Sequence, residues 1–203
     1  MKVLLTGSNG QVGSALKEIL IGNVELLALT RDELDISNEF AVLETVKNFK
    51  PQIIVNAAAY TSVDKAESEE VLAFSVNKDG PEYLAKAANS IEAVLIHIST
   101  DYVFEGDQSA CYNESDPVNP QGIYGKSKLA GEVAVSQYCN QYIILRTAWV
   151  FGEHGKNFVK TMLELAKTRE LLGVVSDQVG GPTYAGDIAK AILRIIEKIA
   201  TKN

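Results

Sequence analysis

Tyr124 and Lys128 stand four residues apart, a spacing that puts both side chains on one face of a helix. A free phenol, with a pKa of about 10, is a poor proton donor at neutral pH. A neighbouring ammonium stabilises the phenolate and lowers that value, each unit being worth about 1.4 kcal/mol. A phenol tuned in this way protonates the oxygen formed when hydride reaches a ketone, while the same lysine holds a nicotinamide ribose. Tyr-x-x-x-Lys is common by chance, and alone it describes a surface pair equally well. Ser99-Thr100-Asp101, at the end of an apolar run, supplies a partner. A hydroxyl there can hold the carbonyl oxygen and bind it more strongly as negative charge develops. Either Ser99 or Thr100 can serve.

A second constellation lies at the start of the chain. The run Lys2–Thr6 leads straight into Gly7-Ser8-Asn9-Gly10-Gln11-Val12-Gly13 and then into a helical pattern. Glycines at such a junction permit a tight turn, a close backbone approach to a pyrophosphate and close helix–strand packing, and the helix N-terminus supplies free N–H groups. The strand–turn–helix context points to a dinucleotide. No Gly-Lys-Ser/Thr closes the loop, so a nucleotide site of the Walker type is excluded. At the end of the second strand, Thr30 stands where a carboxylate would bind the ribose 2′-hydroxyl of NAD, and Arg31, which can accommodate the 2′-phosphate of NADP, follows. That tilts the cofactor towards NADPH. Asp32 keeps NADH open, and a merely solvated Arg31 is the competing account. Asn56-Ala57-Ala58-Ala59 ends the third strand with small side chains that leave room for a ligand.

The elements that must carry these groups alternate along the whole chain. Strands are expected at Lys2–Thr6, 24–29, Ile53–Asn56, 94–99, 142–146 and 172–175, several of them continuous apolar runs as in strands buried on both faces. Val12, Ala15, Leu16, Ile19 and Leu20 have helical spacing, as do Ile188, Ala191, Ile192, Ile195, Ile196 and Ile199, with Asp187 placed to cap the latter. The helix bearing Tyr124 starts after Gly122, and residues 105–121 form an ordered surface loop before it. Repeated strand–helix–strand order predicts an α/β fold: a Rossmann-type, doubly wound parallel sheet with helices on both faces. Residues 1–170 are expected to form the dinucleotide-binding domain, including the Tyr-x-x-x-Lys helix. Residues 171–203 would add the last strand and helix and the start of an incomplete substrate lobe.

Bulk properties narrow the function classes. The 203 residues are 46% hydrophobic and 22% charged, ordinary for a globular chain. A net charge of −7 argues against a nucleic-acid partner, which needs a basic face. Cys111 and Cys139 make no disulfide framework. The N-terminal apolar run breaks at Thr6-Gly7, too short for a signal peptide, and no run reaches the roughly 18 residues of a membrane span. A cytoplasmic protein without membrane partners is expected. His97, inside a strand, reads as a packed core residue and His154 as a loop residue, with no ligand spacing for zinc. Asp64, Glu67, Glu69 and Glu70, with Lys65 among them, read as a solvated face.

Taken together, the glycine pattern, Asn56-Ala57-Ala58-Ala59 and Tyr124-x-x-x-Lys128 resemble extended short-chain dehydrogenases/reductases acting on nucleotide sugars. More narrowly, Asn56 to Glu67 (NAAAYTSVDKAE), Ser99-Thr100-Asp101-Tyr102-Val103-Phe104, Arg146-Thr147-Ala148-Trp149 and Asp177-Gln178-Val179-Gly180-Gly181-Pro182-Thr183 resemble the dTDP-4-dehydrorhamnose reductases. The resemblance implies hydride transfer from NADPH, or NADH, to the 4-keto carbon of dTDP-6-deoxy-L-lyxo-4-hexulose, giving dTDP-L-rhamnose for polysaccharide or antibiotic glycosylation. It selects Thr100, with Tyr124 and Lys128, as the catalytic set. It implies a cofactor site of Gly7, Gly10, Gln11, Val12, Gly13, Arg31, Asp35, Ile36, Asn56, Ala57, Ala58, Ala59, Asn77, Tyr124 and Lys128. Val63, Tyr102 and Trp149 would line the sugar pocket. Tyr102 follows Asp101 where sister dehydratases carry a glutamate, so reduction fits better than dehydration. Family members usually continue past the helix at 188–199, and the acidic metal or dimer contacts of some members belong to that later part. No metal is assigned, and a homodimer stays open. The alternatives are another sugar-nucleotide epimerase or reductase, or a cofactor-binding regulatory subunit resembling the methionine adenosyltransferase β subunit.

Overall fold

A computed structural model of the chain describes residues 1–108 and 110–201. Five parallel strands, β1 (Lys2–Thr6), β2 (Glu25–Leu29), β3 (Ile53–Asn56), β4 (Val94–Thr100) and β5 (Tyr142–Thr147), form one sheet in the order β2-β1-β3-β4-β5. The doubly wound parallel sheet expected from the sequence is present. Alternation along each strand divides the apolar side chains between two layers. Val3, Leu5, Ile53, Val55 and Ile96 pack under α1 (Gln11–Leu20) and α8 (Ala185–Ala200). Leu4, Ile54 and Leu95 pack under α2 (Glu39–Phe49), α5 (Gly80–Ser90) and α6 (Ile123–Tyr138). Both faces are covered, which is why Val3–Leu5 of β1 and Ile53–Val55 of β3 read as unbroken apolar runs.

The order reverses between β1 and β3, so the crossovers leave in opposite directions there and open a crevice at the strands' carboxyl ends. Around that edge lie two short helices, α3 (Val63–Ala66) and α4 (Glu70–Phe74), a π-helical turn (Ser75–Asp79) and a 3-10 turn (Asp101–Val103). Beyond β5, the two-residue strands β6 (Val150–Phe151) and β7 (Thr183–Tyr184) pair in parallel, flanking α7 (Phe158–Leu165).

Three expectations need correcting. Residues 172–175 form no strand: Val174 and Val175 are exposed, and among the described residues no strand pairs with this run. Val24 lies outside β2 and makes only an isolated bridge with Ile21. Asp187 lies inside the first turn of α8, paired with Lys190 at 3.1 Å, while Tyr184 occupies the cap. Lys202 and Asn203 lie outside the described residues. Among the described residues no helix is long and apolar enough to cross a membrane.

Candidate active site

The glycine turn is built by contact with β3. Gly7 has φ +66°, and a methyl on its α-carbon would fall 2.6 Å from the Ala58 nitrogen. A methyl on Gly13 would fall 2.1 Å from the Gly7 carbonyl oxygen. Both contacts are with backbone, so only glycine lets β1, the turn and α1 close on one another. Gly10 occupies the N-cap of α1 with no side-chain cap, which leaves the first-turn N–H groups of Gln11, Val12 and Gly13 without intrahelical acceptors. An uncapped helix N-terminus over a glycine cradle fits the pyrophosphate of a dinucleotide. The Gln11 side chain is occupied elsewhere: it donates to the Val150 carbonyl at 3.1 Å and accepts from Asn157 at 3.0 Å.

Behind the turn, one polar row crosses the sheet. Thr6, Asn56 and His97 are register partners on β1, β3 and β4. The Thr6 hydroxyl donates to Asn56 Oδ1 at 2.7 Å, which also accepts from the Ala58 N–H at 3.2 Å; Asn56 Nδ2 lies 3.1 Å from His97 Nδ1. His97 is fully buried, and desolvation first, with Lys128 second, holds its imidazole well below the usual range. It is therefore neutral and structural.

Arg31 is exposed at the tip of β2, near enough to Asp35 to lower that carboxyl's pKa, although the hydrogen bond from the Ser37 hydroxyl is the larger cause. Asp35 also accepts from the Ser37 N–H at 3.0 Å. Ile36 is buried in the core, with its side chain against Gly80. Asn77, in the π-helical turn, is also buried. It accepts from the Tyr60 N–H at 2.9 Å and donates to the Tyr60 carbonyl and the Ser127 hydroxyl, both at 3.0 Å. Its amide clamps the loop after β3 onto α6.

At the chemical end, Tyr124 and Lys128 lie on the buried face of α6 beneath the tip of β4. The Tyr124 ring meets Tyr102 edge-to-face, with centroids 5.6 Å apart, and packs with Val63, Ala66, Ala73 and Tyr60. Burial pushes its phenol up to about 12, opposed by the Thr100 hydroxyl, with Asp101 and Tyr102 adding smaller upward contributions. Lys128 is buried, and desolvation brings its ammonium down to about 8 against the opposing charge of Glu132. Its Nζ donates to the Ile98 carbonyl at 2.7 Å. The expected tuning of Tyr124 by Lys128 is thus not what sets the phenol here: the ammonium is held by a strand carbonyl, and Thr100 is the group that favours the phenolate.

Two working parts escaped the sequence reading. Glu132 is buried and bidentate with Arg146, at 3.0 and 2.7 Å, and the Arg146 guanidinium stacks over Phe104. Its signal was present, since Tyr124, Lys128 and Glu132 repeat at four-residue spacing along one face. Glu67 accepts the Ile123 N–H at 2.8 Å and so caps α6 from a distant loop, while Glu69 accepts the Tyr60 hydroxyl at 2.7 Å. Two members of the acidic stretch are therefore engaged in holding the site. Among the described residues, no three histidine, cysteine or carboxylate side chains are grouped to hold a metal ion.

Val63 and Tyr102 stand beside Tyr124. Trp149 lies two residues beyond the end of β5, whose Thr147 is the register partner of Thr100. The glycine turn and Thr100 sit at the same sheet edge, separated by β3, a span of roughly 10 Å at the usual strand spacing. The glycine turn, the Tyr124 phenol and the Thr100 hydroxyl thus share one crevice.

Residues 1–203 match the family model described as the RmlD substrate binding domain. The dTDP-4-dehydrorhamnose reductase of Aggregatibacter actinomycetemcomitans is 52% identical over 200 residues, covering 98% of this chain and 68% of that protein. That of Escherichia coli K12 is 45% identical, covering 100% and 69%. Among solved structures, the dTDP-4-dehydrorhamnose reductase of Clostridium acetobutylicum superposes with a TM-score of 0.94 at 47% identity, covering 98% and 71%. That of Bacillus anthracis, in complex with NADP, gives 0.94 at 44%, covering 97% and 70%. The chain thus spans 68–71% of the length of these four relatives.

Proposed function

The chain belongs to the RmlD substrate binding domain family, and on that premise we propose that it reduces the 4-keto group of dTDP-6-deoxy-L-lyxo-4-hexulose to give dTDP-L-rhamnose, with NADPH as reductant and NADH as the other candidate. The observation that carries this reading is the buried Tyr124 phenol, within influence of the Thr100 hydroxyl, in the crevice that also holds the glycine turn. A reduced nicotinamide supplies the hydride that reaches the keto carbon.

The chain's own residues do the rest. Thr100 hydrogen-bonds the substrate oxygen and strengthens that bond as charge builds. Tyr124 delivers the proton from its Oη. A phenol near 12 is a weak acid, yet the alkoxide it meets is a stronger base than the phenolate left behind, so the transfer runs downhill. Lys128 keeps one N–H on the Ile98 carbonyl and has the others for the nicotinamide ribose. Val63, Tyr102 and Trp149 offer an apolar wall for the sugar ring. The first-turn N–H groups of α1 receive the pyrophosphate, and Arg31 the 2′-phosphate that distinguishes NADPH.

The decisive experiment follows loss of reduced-nicotinamide absorbance on adding the keto-sugar nucleotide. Tyr124→Phe should lower kcat by about 10²–10⁴-fold while leaving the Kd for NADPH within about twofold. Equal, slow consumption by wild type and variant would sink the reductase assignment. Cofactor binding with no turnover in either would favour the regulatory subunit.

A further inference from the structure

Trp149 is the single tryptophan of the chain. Its backbone is left-handed, with φ 43°, a conformation that a bulky side chain keeps only when its surroundings hold it there. Two constraints do so. The Trp149 carbonyl accepts from the Thr183 N–H at 3.3 Å, and the next residue, Val150, pairs with Thr183 in the β6–β7 ladder. The segment just before β7 is thereby drawn across the indole. A methyl on Gly180 would fall 2.7 Å from Trp149 Cε2 and 3.0 Å from both Cζ2 and Nε1. Gly180 itself has no positive φ, so its backbone would accept alanine. The nearest atoms that a side chain there would meet all belong to the ring. Gly181 is the internal contrast, because a methyl there meets nothing within 4 Å.

We propose that Gly180 is a positioning residue for sugar-nucleotide recognition: its bare α-carbon seats the indole of Trp149 in the plane that receives the sugar. The assignment rests on Trp149 lining the sugar site as set out above. Trp149 is 45% exposed, so one edge of its ring rests on Gly180 while the residue stays open for a partner. Trp149 is hydrogen-bonded to Thr183, only three residues after Gly180, so the short span between them keeps an added methyl against the ring, and the ring must turn. Because loss of a correctly placed wall removes binding shared by ground and transition states, the cost falls on KM rather than kcat.

The test combines tryptophan emission with kinetics in wild type, Gly180→Ala, Gly181→Ala, Trp149→Phe and the Trp149→Phe/Gly180→Ala double variant. Gly180→Ala should shift the emission and its quenching by acrylamide. It should raise the KM for the sugar nucleotide about tenfold, with kcat and the KM for NADPH within about twofold. Gly181→Ala should match wild type in both readouts. Once the indole is gone the methyl should add nothing, so the double variant should equal Trp149→Phe within about twofold. Unchanged emission in Gly180→Ala overturns the proposal, and so does an undiminished effect of the methyl in the Trp149→Phe background. Should wild type fail to reduce the keto sugar, the same cycle is read from the Kd for dTDP-L-rhamnose, which carries the sugar. Coupling there upholds Gly180 while the reductase assignment falls, and additivity removes both.

Discussion

Lys128 shows how one buried side chain turns geometry into a pH signature. Its ammonium is pulled down to about 8 from 10.5, chiefly by burial. Between those values the unfolded chain holds the proton that the folded chain has lost, so this group's contribution to stability grows as pH rises from about 8 to 10.5. Tyr124 has the opposite sign: its phenol near 12 against 10.0 keeps a proton the unfolded chain gives up, and stability falls with rising pH over that later window. Function should respond earlier than stability. If the ammonium holds the nicotinamide ribose, NADPH affinity measured by titration weakens as pH rises through about 8. The inflection disappears in Lys128→Met and moves to lower pH in Glu132→Gln, which removes the charge that favours the ammonium. A flat profile in wild type would separate Lys128 from cofactor binding. The Tyr124–Lys128 pair was legible from spacing, and Glu132 was one more helical step along the same face. The Ile98 carbonyl that holds the ammonium was not, because that bond depends on how α6 lies across β4, a relation no local spacing encodes.

Among the elements, β1 and β3 were readable to the residue, since the middle of a strand buried on both faces must be apolar, as Val3–Leu5 and Ile53–Val55 are. Residues 172–175 are apolar too, apart from Gly173, and form no strand. What makes a strand is a partner, and the partner is set by the distant course of the chain. The same distinction explains why the loop after β3 was read as mere room for a ligand, whereas Asn77 ties it to α6 through three hydrogen bonds. The glycine turn is the element whose sequence and geometry agree most closely. Gly13→Ala should place a methyl 2.1 Å from the Gly7 oxygen, forcing the turn open. We expect a loss of about 1–3 kcal/mol in stability and at least about tenfold weaker NADPH binding, checked by denaturant unfolding and cofactor titration. Gly13→Ala with wild-type affinity would mean that the close approach of α1 to the turn is dispensable for the pyrophosphate.

For the molecule as a whole, the crevice collects residues from β1, β3, β4 and α6, elements belonging to both packing layers. A ligand bridging them should stabilise the entire fold rather than one loop. At a concentration of 100 times its Kd, NADPH adds about 2.7 kcal/mol. In a chain of this size that should raise Tm by about 5–10 °C, which differential scanning calorimetry would register; no rise at saturation would place the dinucleotide elsewhere. Doubly wound architecture followed from the alternation of elements, while the small β6–β7 ladder, which fixes Trp149, could not be seen in two-residue stretches. The tip of β2 differs from the rest of the crevice. There Thr30 donates through both its N–H and its hydroxyl to Glu33, at 2.8 and 2.9 Å, in a surface turn just ahead of the core residue Leu34. If Arg31 receives the 2′-phosphate as proposed, discrimination between the two forms of the coenzyme would be lodged at the rim, where it can be rewritten by exchanging a few surface residues. A lineage could change its source of reducing power there without disturbing the interior that performs the chemistry.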